Sequence, residues 1–216
     1  MMLWKALSAL GGVAVTGPLG VLVAVWLLAG RNWRLSFNWC LLYGGGLVAV
    51  VATKVLYYGW GIGIPEWQFA GLSGHAMRAC AVYPVAFYVA FRTAQPATRH
   101  AALAAGVLLA VLISVSRVPV HAHSVSEAVL GAIVGFAVAI GFLVLARSER
   151  PAHVGRILLA LCVPILAAIP FTKPLPTERW MRQVAMYMTG NQPVERAWRT
   201  GPDYQRFRRE QEDPAI

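Results

Sequence analysis

Charge is scarce in this chain. Charged side chains make up 13% of its 216 residues, about half the share found in an ordinary soluble domain. With 58% hydrophobic residues and a mean hydropathy of +0.58, that scarcity excludes a water-soluble globular domain. Cysteine is nearly missing. Cys40, Cys80 and Cys162 stand alone in apolar stretches, without ligand spacing. That argues against a zinc site or a disulfide framework and makes them small core hydrophobes. Acidic residues are few, 9 against 19 Lys and Arg, for a net charge of +10 and a pI near 10.2. There is no internal repeat and no low-complexity linker.

What fills the sequence instead is long apolar runs. A stretch of about 18 or more apolar residues crosses the ~30 Å hydrocarbon layer as a helix. The candidates are 8–29, 38–58, 76–92, 101–117, 125–146 and 157–171, the last short and interrupted by Pro164 and Pro170. The first is too long for a cleaved signal, and no small-residue cleavage site precedes a soluble domain. The expected fold is all-α: a polytopic membrane bundle of six spans over 1–171, followed by a polar tail, 172–216. The basic residues fall in short loops: Arg31 and Arg34, Arg92 and Arg99, then Arg147, Arg150 and Arg156. Those loops share one face, which the positive-inside rule makes cytoplasmic. The charge therefore reads as orientation, and nucleic acid is not an expected partner. In the tail, Thr177 as N-cap and Gly190 as stop frame a short helix. Its stripe of Trp180, Met181, Val184, Ala185 and Met188 suits either the membrane interface or packing on the loops.

Ionisable groups at membrane depth cost roughly 2.5–3.5 kcal/mol each, so they face a cavity or one another. Outside the flanking loops and tail they are Lys54, His75, Arg78, Arg117, His121, His123 and Glu127. All lie at the ends of spans two to five, on the face opposite the basic loops. Cations and imidazoles with one carboxylate make a site for an anion. In Gly71-Leu72-Ser73-Gly74-His75, Ser73 is a good N-cap, so the positive end of the next helix points at this loop. Gly74 permits close backbone approach, and free N–H groups at a helix start suit phosphate oxygens. Arg78 follows His75 by three residues and shares its face. In Ser116-Arg117-Val118-Pro119-Val120-His121-Ala122-His123-Ser124-Val125-Ser126-Glu127, Pro119 ends the fourth span. His123 and Glu127 are four apart, so the carboxylate can accept the Nδ1 proton and leave Nε2 as nucleophile or base. Ser124-Val125-Ser126-Glu127 also spells a capping box; the two roles are compatible.

These residues resemble the type-2 phosphatidic acid phosphatase superfamily of integral membrane phosphatases. Its third motif, Ser-Arg, five residues, His, three residues, Asp, reads here Ser116-Arg117, His123, Glu127. Its second, Pro-Ser-Gly-His, reads Leu72-Ser73-Gly74-His75. Of its first, Lys, six residues, Arg-Pro, only Lys54 is present, with Gly61-Ile62 in place of Arg-Pro. The resemblance spans roughly 54–127. It implies that His123 attacks phosphorus and that His75 protonates the leaving oxygen and then activates water. It also implies that Lys54, Ser73, Gly74 and Arg117 hold the phosphate oxygens and that Glu127 orients His123. Arg78 is placed to stand in for the missing arginine, and His121 falls off the motif spacing. No metal or other cofactor is implied, because cations and amides supply the charge. Segment 59–69, with Trp60, Trp67 and Phe69 suited to the headgroup layer, is expected to be non-helical because of its glycines. It reads as a lid or as an aromatic belt.

The expected function is metal-independent hydrolysis of a lipid phosphate monoester or diphosphate, on the extracytoplasmic face of a bacterial-type inner membrane. The partners are the lipid substrate and the membrane. A lipid phosphotransferase using the same site, or a degenerate non-catalytic family member, is the alternative. A haem or metal protein using His75, His121 and His123 would set cations beside Lys54, Arg78 and Arg117, which oppose them.

Overall fold

The computed structural model describes residues 1–147 and 176–196. The sixth expected span, 157–171, lies outside them. The described residues form seven α-helices: α1 (Met2–Leu10), α2 (Val13–Ala29), α3 (Trp33–Trp60), α4 (Gly74–Ala90), α5 (Pro96–Ser116), α6 (Val125–Arg147) and α7 (Thr177–Thr189). No strand occurs among the described residues. The architecture is an all-α bundle of an integral membrane protein. The paired α1–α2, together with α3, α5 and α6, are long and apolar enough to cross a membrane.

Helix α4 is short for a span, shorter than α3, α5 and α6. It has only 17 residues, about 25 Å at 1.5 Å per residue, and is the hub of the bundle. Met77, Ala79, Cys80, Ala81 and Val82 are all fully buried, packed mainly by α5 and α6. Small residues set the approach. A Cβ on Gly131 of α6 would lie 2.6 Å from the Ser73 carbonyl oxygen, so α6 meets the start of α4 backbone to backbone. Bulk supports the other side: Trp39 stacks on Tyr43 at 5.1 Å and donates from Nε1 to the Gly20 carbonyl at 2.8 Å.

The first span is also not one helix. It starts at Met2 and breaks at Gly11-Gly12. A Cβ on Gly11 would meet Ile113 Cγ2 at 2.7 Å and the His75 ring at 3.3 Å, so the break lets His75 lie against the chain. At the other end of the pattern, α3 runs on through Gly59 and Trp60 and stops only at Gly61, whose φ of 68° is left-handed. Segment 59–69 is therefore partly helical, against expectation. Gly59 serves packing: its Cβ would touch Thr189 and Ala185 of α7. Trp60 and Trp67 are exposed. Cys80 is buried as expected, but Cys40 is exposed on the outer surface of α3. In the tail, Gly190 ends α7 in the left-handed region as expected, whereas Pro176, not Thr177, is the residue before its first turn. The α7 stripe divides. Ala185 and Met181 pack on Val55 and Tyr58 of α3, while Trp180, Val184 and Met188 stay about half exposed.

Candidate active site

Three chain segments meet at one end of α3, α4 and α6. The turn 117–123 is folded by its own backbone: the N–H groups of Ala122 and His123 both donate to the Arg117 carbonyl at 3.2 Å. That closure presents Arg117 and His123 to the same side. The α5 helix ends at Ser116, three residues before Pro119, which disfavours helix in the residue before it. His121 takes a left-handed φ of 52° and turns its Nδ1 toward the Pro119 carbonyl, and it does not line the cavity described below.

Glu127 ties the site together. Its Oε2 lies 2.6 Å from His123 Nδ1, with both side chains buried. An ionised carboxylate only accepts, so Nδ1 carries the proton and Nε2 keeps its lone pair. The same Oε2 accepts the Ser124 N–H at 3.3 Å, and the Ser124 hydroxyl accepts the Glu127 N–H at 3.3 Å. The capping box and the histidine contact are thus both made. Oε1 accepts the Ala70 N–H at 3.0 Å, and the Glu127 carbonyl accepts the Ser73 N–H at 3.0 Å. One residue therefore orients His123 and sews the Ser73-Gly74-His75 loop to α6.

That loop starts α4 as its sequence suggests. Ser73 caps it, accepting the Ala76 N–H at 3.5 Å. Gly71 sits at φ 105°, and a Cβ there would strike Lys54 at 2.9 Å, so glycine is needed both for its conformation and for its lack of bulk. A Cβ on Gly74 would lie 2.9 Å from Arg78 Nη1; the guanidinium crosses where that side chain would be. Arg78 Nε donates to the Thr16 hydroxyl at 3.1 Å and Nη2 to the Gly11 carbonyl at 3.4 Å. Arg117 Nη1 donates to Ser8 of α1.

A cavity of about 430 Å³ opens onto these groups. Lys54, His75, Arg78, Arg117 and His123 line its polar end, together with Gly74. Every one of these candidates was legible in the sequence; Ser73 and Glu127 sit just behind, fully buried. Burial, then the nearby Lys54, Arg196, Arg117 and His75, push the His123 imidazole well below the ordinary histidine range, so it is neutral at physiological pH. A neutral imidazole ringed by fixed cations is equipped to attack an anionic centre.

Two features were not foreseen. The wall facing the cations belongs to α7, through Glu178, Trp180, Met181 and Val184. Segment 59–69, for which a lid or an aromatic belt was the expectation, supplies none of the lining. Instead Ser126 Oγ donates to the Trp67 carbonyl at 2.6 Å, pinning that segment to α6. The second is Arg196, fully buried against Glu127.

The fold and this cluster define an integral membrane protein with a buried, cation-lined histidine site. Residues 59–151 match the PAP2 superfamily. The chain is also 32% identical over 190 residues to a Klebsiella pneumoniae protein described as "Uncharacterized 22.5 kDa protein in cps region", covering 85% of this chain and 90% of that relative. No solved structure matches it. The chain belongs to the PAP2 superfamily, whose members are generally phosphatases.

Proposed function

We propose that the protein is a lipid-phosphate phosphatase working through a phosphohistidine. The observation that supports a lipid is the shape of the cavity. From the cations it runs along one face of α3, past Val55, Val51, Val50 and Leu47. Leu47 lies seven residues from Lys54, about 10 Å along the helix axis, and Val51 is exposed on the bundle surface. An acyl or isoprenoid chain can lie in this apolar half while its phosphate sits among Lys54, Arg78 and Arg117.

The neutral His123 Nε2 attacks phosphorus in line, and the bond from phosphorus to the lipid oxygen breaks. His75 gives its proton to that oxygen, releasing the alcohol, or the lipid monophosphate when the substrate is a diphosphate. A water then attacks the phosphohistidine. His75 takes the water's proton, the N–P bond breaks, and inorganic phosphate leaves with His123 restored. The cations and the α4 amide end offset the charge that spreads over the equatorial oxygens. The charge of the loops supports an extracytoplasmic site for this chemistry.

The test is phosphate release by purified protein in detergent, with chelator, from phosphatidic acid, phosphatidylglycerol phosphate, undecaprenyl diphosphate and phosphorylated lipid A. A soluble short-chain phosphate monoester runs beside them. Release that His123→Ala abolishes, and that Leu47→Arg weakens for long-chain substrates more than for the soluble one, supports the reading. Equal loss on both classes with Leu47→Arg would remove the lipid assignment. Silence of the folded wild type on all of them would remove the hydrolase.

A further inference from the structure

Arg196 has no place in the chemistry above, yet it is completely buried beside it. Burying a guanidinium costs several kcal/mol unless its charge and donors are met. Here Nη1 donates to the Ala122 carbonyl at 3.2 Å, in the turn that holds His123. Nε lies 3.7 Å from Glu127 Oε1, and Nη2 lies 3.5 Å from Glu178 Oε1. The guanidinium carbon stands 5.9 Å from the Tyr58 ring centre, a cation–π distance. Glu127 is thus flanked: His123 on one oxygen, the arginine on the side of the other.

The chain goes to some length to put Arg196 there. Val194 N–H donates to the Tyr58 carbonyl at 2.9 Å, and the Tyr57 hydroxyl donates to the Glu195 carbonyl at 3.0 Å. Arg182 of α7 grips the Glu195 carboxylate with two bonds, at 2.5 and 3.2 Å. The Tyr58 hydroxyl donates to Glu178 at 2.6 Å. Segment 194–196 is therefore clamped to both the end of α3 and α7, and the clamp leaves the arginine side chain aimed inward at Glu127.

We propose that Arg196 is a positioning residue for the His123–Glu127 pair, delivered to the site by the segment that follows α7. It rests on the phosphohistidine reading for its catalytic consequence. Its physical content is that the guanidinium holds the Glu127 carboxylate rotated so that Oε2 faces Nδ1, and that it ties this carboxylate to the α7 wall through Glu178. The titratable and charged groups facing His123 are Lys54 from α3, His75 from α4, Arg117 from the end of α5, Glu127 from α6, and Arg196. Removing Arg196 leaves all the others in place.

The experiment reads His123 in the full-length protein by ¹⁵N-histidine NMR, and phosphate release alongside it, in wild type, Arg196→Gln and Arg196→Lys. Each is repeated in a Glu127→Gln background. In Arg196→Gln the His123 titration midpoint rises, since one facing cation is gone, and the Nδ1–H tautomer is less fully populated. Turnover falls roughly tenfold to a hundredfold, the range seen when the partner of a functional histidine is lost, with KM changed less than turnover. Arg196→Lys, which keeps the charge without the planar fork, falls between. In the Glu127→Gln background either change at 196 adds little to the loss of tautomer and turnover, although the midpoint still rises. An unchanged midpoint, tautomer and turnover in Arg196→Gln would overturn the proposal. So would an undiminished effect of the 196 change on tautomer and turnover once Glu127 is Gln. If Arg196→Gln does not fold, the same cycle is run with Arg196→Lys, and wild-type behaviour of that variant would be equally fatal. A wild type that releases no phosphate defeats the phosphatase reading alone, because the NMR arm still judges Arg196.

Discussion

Replacing Glu127 by Gln isolates what the carboxylate does. The change keeps the shape of the side chain and removes its charge. Around it stand four donors: His123 Nδ1–H and Ser124 N–H on the Oε2 side, Ala70 N–H and the Arg196 guanidinium on the Oε1 side. The carboxylate accepts from the first three and pairs by charge with the arginine, whose Nε is 3.7 Å from Oε1. An amide accepts on one side only, so either His123 or Ala70 faces an NH₂ group. The 2.6 Å contact to His123 is a charge-assisted bond between buried groups, and such bonds contribute about 1.5–3 kcal/mol. If the attack on phosphorus relies on the tautomer that this bond fixes, losing it slows phosphohistidine formation by about tenfold to 150-fold, at roughly 1.4 kcal/mol per factor of ten. The assay is rapid-quench trapping of ³²P on the protein from a labelled lipid phosphate under single-turnover conditions. Circular dichroism and thermal unfolding confirm that α6 keeps its first turn. Trapping at the wild-type rate in folded Glu127→Gln would refute the claim that this carboxylate orients His123.

Three further outcomes follow from the same geometry. His123 is held neutral, mainly by burial and then by the surrounding cations, so phosphohistidine formation should stay on its plateau as pH falls through about 6.5, the ordinary histidine value. A half-maximal rate at or above that pH would contradict it. The unfolded chain binds a proton there that the folded chain does not, so this group's contribution to stability is present above about pH 6.5 and shrinks as pH falls below it, measurable as a falling Tm. Gly74→Ala puts a Cβ 2.9 Å from Arg78 Nη1, which a flexible side chain can yield. Phosphate affinity, read as protection against thermal unfolding, should drop about tenfold or more with the ligand-free Tm nearly unchanged; Arg78→Ala should lose affinity likewise. Gly131→Ala meets backbone instead, 2.6 Å from the Ser73 carbonyl. It should destabilise the protein by about 1–3 kcal/mol, seen in unfolding from mixed micelles.

The polar end of the site was legible because charge is rare in this sequence. Lys54, His75, Arg78, Arg117 and His123 stood out against apolar flanks, and helical spacing was enough to pair His123 with Glu127. The same contrast hides Arg196. It lies in a tail where arginines and glutamates are common, and nothing local separates it from its solvated neighbours. Only the clamp formed by Tyr57, Tyr58, Arg182 and Glu195 turns it inward, and those partners are far apart in sequence. Hydropathy failed in a related way. It reads 8–29 as one run because glycine hardly interrupts an apolar average, so the break at Gly11-Gly12 that accommodates His75 is invisible to it. It also cannot say which face of a helix looks outward, which is why Cys40 was mistaken for core. At Gly59 the glycine signal for a loop lost to packing, since α7 needs the close approach.

The glutamate at position 127 is where these strands of argument meet. The resembled motif has aspartate there, one methylene shorter. A capping box needs Glu or Gln at the third helical position, because only that length reaches back to the N-cap amide. Glu127 makes that reach to Ser124 while the same oxygen holds His123. Its other oxygen extends to Ala70 and toward Arg196. A shorter carboxylate anchored on the same backbone would have to give up some of these partners. The longer side chain and the buried arginine therefore belong together: the extra methylene carries Oε1 out to where segment 194–196 delivers a cation, and the departure from the motif becomes an additional point of support for the histidine.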